Sequence, residues 1–168
     1  MKRSLILAEV IRNASEKYYC DIDCEPYVKR GDNAKTLRGL CGIASYALYQ
    51  ALIKEGFRPT FMMGDMPTVL GKHCWVELNG KVIDVTATQF GVIDRVFVTK
   101  PTDRALSYFY ESRSPFSYRD MPVFKEWMDN LYDWAEWSPF TPEGRPVYEK
   151  ILAAVNSFPA RLKLTASE

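Results

Sequence analysis

Histidine is almost absent from this chain: there is one among 168 residues, at position 73. Any imidazole chemistry therefore belongs to His73. An excess of one charge is missing too. Twenty-two basic and 21 acidic residues leave a formal net charge of +1, with the two signs mixed along the chain. No electrostatic argument then favours nucleic acid, a membrane surface or an acidic partner. Long apolar runs are also lacking, and none approaches the roughly 18 residues of a membrane span. Leu5-Ile6-Leu7 follows Lys2-Arg3, but Glu9, Arg12 and Glu16 interrupt it too soon for a secretory leader, and no small-residue cleavage site follows. The expected location is the cytoplasm, where delivery into another cell by specialised machinery would leave the same sequence signature. Four cysteines in such a chain, Cys20, Cys24, Cys41 and Cys74, do not make a disulfide framework. The default role of each is a small buried hydrophobe. There is no internal repeat and no low-complexity segment.

The chain does hold enough apolar material, 47% of its residues, for the core of one ordinary domain spanning 1–168. Leu7, Val10, Ile11 and Ala14 form a helical stripe over residues 4–19, with Ser4 as a candidate cap. Residues 20–40 read as irregular. Ala44, Ala47, Leu48, Ala51 and Leu52 line one face of the strongest helix, 41–55, and Gly56 is placed to end it. Strands are expected at Phe57–Met63 and Val92–Thr99, with a loop over Gly64–Lys72 and a short strand at Ser107–Tyr110. Phe124, Trp127, Met128, Leu131, Trp134 and Ala135 keep helical spacing in a C-terminal extension of about 118–160, whose last helix covers about 146–157. The order of elements predicts an α+β fold with a mostly antiparallel sheet.

The run from His73 to Thr86 carries the most information. Asn79-Gly80 between two alternating apolar runs is a strong signal for a two-residue hairpin. Such a turn pairs Leu78 with Lys81, Glu77 with Val82, Trp75 with Asp84 and His73 with Thr86. Opposed residues share a face, so Cys74, Val76, Leu78, Ile83 and Val85 fall on an apolar face. His73, Trp75, Glu77, Val82, Asp84 and Thr86 fall on the other. His73 and Asp84 become diagonal neighbours, about 7–8 Å apart along the backbone, within reach of long side chains. A carboxylate that orients an imidazole is half of a nucleophilic triad. The expected role of Trp75 is to shield that pair from water while packing in the core. Glu77 reads as a solvated or salt-bridged strand residue.

A nucleophile is needed to complete the triad. Cys74 neighbours His73 on the same strand and points to the opposite face. Cys41 opens the strongest helix, between Gly39 and Gly42. Unpaired N–H groups and the helix dipole favour a thiolate there and can hold a developing oxyanion. The flanking glycines would let a substrate backbone approach.

The order Cys41, His73, Asp84, with His73-x-Trp75-x-Glu77 on one strand and Asp84-x-Thr86 on the next, resembles the transglutaminase-like branch of the papain-like cysteine enzymes. The similarity covers residues 36–90, with an expected core of about 36–100, and Thr86-Ala87-Thr88-Gln89-Phe90 is similar to small bacterial and phage-type members. The resemblance implies a cysteine-opened helix packed on an antiparallel sheet. It also implies a Cys41-His73-Asp84 triad acting on a peptide or protein amide through a thioester, without a cofactor. Peptidase, deamidase and transamidase chemistry are all compatible with it. Leu40 and Gly42 replace the Gln and Trp that flank the cysteine of animal-type transglutaminases, which argues against protein cross-linking. No glutamine stands at Lys35-Thr36-Leu37-Arg38, where papain-type enzymes keep an oxyanion donor. Gln89 is the candidate donor, with Trp75 as a further substrate-side residue.

Two other readings fit these residues. Cys20 and Cys24, with His73 or Cys41, have a spacing permitted for a structural zinc site. His73 and Cys74 cannot both ligate one ion from a straight strand. Alternatively, the protein keeps the fold without catalysis and binds peptide through the aromatic region Tyr108–Phe140.

Overall fold

The computed structural model describes residues 2–19, 37, 39–65, 72–101, 113–115 and 144–157. Helices α1 (Lys2–Tyr18) and α2 (Cys41–Lys54) are followed by strands β1 (Thr60–Asp65), β2 (Lys72–Leu78) and β3 (Lys81–Asp84). A 3-10 turn (Ala87–Phe90), strands β4 (Phe97–Thr99) and β5 (Arg113–Pro115), and helix α3 (Gly144–Asn156) complete the set. The fold is α+β. Five strands form one antiparallel sheet in the order β4-β3-β2-β1-β5. None of the described helices is long and apolar enough to cross a membrane.

Local chemistry sets most element ends. Gly56 takes φ 84°, and the amides of Gly56 and Phe57 donate to Ile53 O (2.9 Å) and Leu52 O (3.0 Å). That pair of bonds satisfies the last carbonyls of α2 and stops it. Pro59 has no N–H for a ladder, so β1 begins at Thr60 and not at Phe57. The strand expected from Val92 shrinks to Phe97–Thr99. Arg95, just before that strand, instead reaches α1, donating to Glu16 Oε2 (2.6 Å) and Asn13 Oδ1 (2.7 Å). Ser4 is not a cap: it lies inside α1 and is buried. Gly64 and Asp65 belong to β1, not to a loop. Pro146 sits in the first turn of α3, where its missing N–H costs nothing. The readings for residues 20–36, 107–110 and 118–143 lie outside the described residues.

Asn79 (φ 52°) and Gly80 (φ 69°) are both left-handed, the backbone that a two-residue hairpin turn requires. The ladder pairs Leu78 with Lys81, Glu77 with Val82 and Val76 with Ile83. Alternation then divides the sheet. Phe61, Cys74, Val76, Leu78, Ile83 and Val85 join the main core with the helices. Met62, Trp75 and Val82 form a separate cluster, with Phe90 and Phe97 packed against it. Helix α2 lies against β1 and β2, and α1 and α3 pack on α2 and on each other. Ala44, Ala47, Leu48, Ala51 and Leu52 are all buried in that packing.

Candidate active site

The site lies where the first turn of α2 meets the start of β2. Position 40 is the N-cap of α2, and a leucine there offers no side-chain acceptor to the first amides. The turn leading in has Leu37 at φ 55° and Gly39 at φ 84°. A side chain at Gly39 would meet open space, so the glycine serves the turn. Leu37 is fully buried in a conformation that L-residues rarely adopt, which ties the entrance of the helix to the core. One turn into α2, Ser45 Oγ donates to the Cys74 carbonyl oxygen at 2.8 Å. Residues four apart share a helix face. Cys41 therefore stands on the side of α2 that faces β2, and Cys74 and His73 are the groups that govern its titration.

His73 is the second residue of β2, on the face opposite Cys74. Its Nε2 lies 2.7 Å from Asp84 Oδ2, and neither residue is exposed. Asp84 is the last residue of β3. Its second oxygen, Oδ1, accepts the Thr86 backbone N–H (2.8 Å) and the Thr86 hydroxyl (3.1 Å). The Asp-x-Thr spacing thus locks the carboxylate by a local turn. Asp84 is left with one oxygen for the imidazole. A buried carboxylate survives because each oxygen has a donor.

The other imidazole nitrogen, Nδ1, faces Gln89 Nε2 at 3.2 Å. The same amide nitrogen donates to Thr86 O at 3.1 Å, which orients its N–H groups. As a neutral ring, His73 accepts from Gln89 at Nδ1. Trp75 stacks on His73 at 6.2 Å between ring centroids and 19° between planes, and Phe90 meets it edge-on at 4.7 Å and 89°. The Trp75 indole N–H donates to Glu77 Oε1 at 3.3 Å, so its donor is already engaged. Glu77 is thereby a partner of Trp75 and not simply a solvated strand residue. Among the candidate donors, Gln89 is the amide beside the imidazole.

Electrostatics divide the thiols. The hydrogen bond from Cys74 is the largest influence on Cys41; burial opposes it, and His73 adds to it, leaving the Cys41 thiol well below its ordinary value. Cys74 moves the other way, held up well above the thiol range by its bond to Cys41, by burial and by the nearby charges. Burial disfavours a charged His73, but the charge and hydrogen bond of Asp84, with those of Cys41, push it up to about 10. The two directions, Cys41 down and His73 up, both favour charge separation between the thiol and the imidazole.

Three contributors were not legible as site residues. Cys74 was set aside for its direction; alternation does turn it from His73, but that is the side on which Cys41 stands. Thr86 stood in the Asp-x-Thr motif without a role. Arg12 gave no signal at all. It is 1% exposed, donates to Val85 O (2.7 Å) and Thr88 Oγ1 (2.9 Å), and pairs with Glu16 Oε1 (2.8 Å). It clamps the turn that carries Thr86 and Gln89 onto α1. Among the described residues no group of three or more His, Cys, Asp and Glu side chains is placed to hold a metal ion. The zinc reading rests on Cys20 and Cys24, which lie outside those residues.

No family model, no curated protein and no solved structure matches this chain.

Proposed function

We propose that the protein is a cysteine-dependent hydrolase or acyltransferase of transglutaminase-like type, acting at an amide bond of a peptide or protein. The observation that carries this reading is the buried 2.7 Å pair of His73 and Asp84 beside a cysteine at a helix N-terminus. Cys41 attacks the acyl carbon as a thiolate, and its C–S bond forms as the carbonyl electrons move to oxygen. The amides at the start of α2 and the Gln89 side chain stabilise that oxyanion. His73 passes its Nδ1 proton to the leaving amine, and the C–N bond breaks to give a thioester. Water or a second amine, deprotonated by His73, then releases the acyl group. Asp84 holds Nε2–H and stabilises the imidazolium without taking its proton. Trp75 and Phe90 cover the ring and keep water from the His–Asp bond.

The test needs no knowledge of the substrate. Reduced protein is treated with iodoacetamide between pH 5 and 10, and the alkylation rate of each cysteine is followed by peptide mass mapping. An ordinary thiol has a pKa of about 8.5, so Cys41 should react more than about tenfold faster than Cys74 at pH 6.5. His73→Ala should abolish that excess. Equal rates at Cys41 and the other thiols would overturn the reading. A p-nitrophenyl ester should also leave an acyl group on Cys41 that hydroxylamine removes.

A further inference from the structure

The acyl-transfer scheme uses one sulfur, yet the structure places two side by side. Cys41 opens α2, and Ser45, one turn later on the same face, is bonded to the carbonyl of Cys74 itself at 2.8 Å. That contact holds the start of α2 against the Cys74 end of β2, with Cys41 one turn away on the same helix face. Both sulfurs lie in one buried cluster, with residue exposures of 5% and 8%, and both are free thiols. The little exposure that each retains restricts any oxidant to a small molecule. We propose that Cys41 and Cys74 form a peroxide-sensitive dithiol, in which Cys74 resolves oxidised Cys41 into an intramolecular disulfide that reversibly switches the site off. This inference rests on the reading of Cys41 as an activated thiolate.

The chemistry balances with hydrogen peroxide as the oxidant. The Cys41 thiolate attacks one peroxide oxygen; the S–O bond forms, the O–O bond breaks, and hydroxide leaves. Cys41 is now a sulfenic acid, oxidised by two electrons, and the peroxide is reduced. The Cys74 sulfur attacks the Cys41 sulfur, the S–O bond breaks, and the Cys74 proton leaves with the hydroxide as water. Two thiols and one peroxide give one disulfide and two waters. A thiol reductant reverses the link by two exchanges. While linked, Cys41 has no lone thiolate for acyl attack. The disulfide also shields it from the irreversible sulfinic and sulfonic acids.

The chain has four cysteines, so a Cys20→Ser, Cys24→Ser variant isolates the pair. This variant and the wild type are treated with dilute hydrogen peroxide, blocked with N-ethylmaleimide, digested without reduction and mapped by mass spectrometry. The expected product in both is a Cys41–Cys74 linked peptide, with the two thiols lost together and restored by dithiothreitol. In the same background, Cys74→Ser, which keeps a hydrogen-bond donor beside Cys41 but no resolving sulfur, should instead carry Cys41 to sulfinic acid that dithiothreitol does not reverse. Cys41 sulfinic acid formed equally fast with Cys74 present would overturn the switch. So would a link from Cys41 to Cys20 or Cys24 in the wild type, or a link only between two chains. A fast-alkylating Cys41 that yields no linked peptide sinks the switch alone. A slow-alkylating Cys41 in reduced protein sinks the acyl-transfer reading.

Discussion

On one side of the sheet, Phe61, Val76, Leu78, Ile83 and Val85 merge with Ile43, Ala47, Leu48 and Leu52 of α2, and that core extends through α1 and α3. On the other side, among the described residues, Met62, Trp75 and Val82 make a small cluster edged by Phe90 and Phe97. The sheet residues on the first side are almost wholly apolar, and packing accounts for most of them. The second buries His73, Asp84 and Thr86, each with a hydrogen-bond partner supplied by its neighbours. The difference teaches where a polar device can be kept dry. It sits on the side away from the helices, in contact with the Trp75 and Phe90 rings, while the larger apolar cluster lies on the other. Cys41 and Cys74 belong to the helix side and approach the other face at the start of β2.

Three changes would break or sharpen that contrast. The largest effect is expected from Asp84→Asn, which should lower turnover of any acyl substrate by at least about a thousandfold through the wrong imidazole tautomer. Melting should change far less than turnover, because the amide keeps one acceptor oxygen. A turnover loss matched by wholesale unfolding would show that the second face also holds the fold together. Next comes Leu48→Ala on the α2 side, a fully buried residue, with an expected cost of about 2–5 kcal/mol in denaturant unfolding. Its native state should keep the fast alkylation of Cys41. Loss of that reactivity before unfolding would show that the two faces are not separable.

The smallest effect concerns pH. The His73 pKa is raised from 6.5 to about 10, chiefly because Asp84 overcomes the burial penalty. Its stabilising share is therefore complete below about 6.5 and is lost as pH rises through the folded value. The lowered Cys41 thiol works in the opposite direction, being most stabilising at high pH. Cys41→Ala separates them. This variant, in which Asp84 alone raises His73, should melt at progressively lower temperature as pH climbs above 6.5, and His73→Gln in the same background should flatten the slope. An unchanged slope would mean that the His73–Asp84 pair adds no charge coupling to the fold.

Much of the site was legible because it is written in short-range rules. Asn79-Gly80 sets the hairpin register, and with it the shared face of His73 and Asp84. Gly56 marks the end of α2, and the apolar stripe before it marks the face that packs. The misread strand starts have two causes, one local and one distant. Pro59 removes a donor, and Arg95 is pulled to α1 by groups about 80 positions away in sequence. Arg12 was invisible for the same reason, since nothing near position 12 announces a partner at Val85 or Thr88.

Sequence alone therefore determined which residues share a strand face, where the central helix begins and ends, and that one imidazole has one carboxylate beside it. Those properties follow from side-chain alternation, from glycine and asparagine backbone preferences, and from helical periodicity, all within a few neighbouring residues. Tertiary structure alone decided that Cys41 meets both His73 and Cys74, that Gln89 faces Nδ1, and that a buried arginine holds the turn carrying Gln89. Those contacts depend on how α1 and α2 bury their apolar stripes against the rest of the fold, a choice made by the whole core and by no single segment.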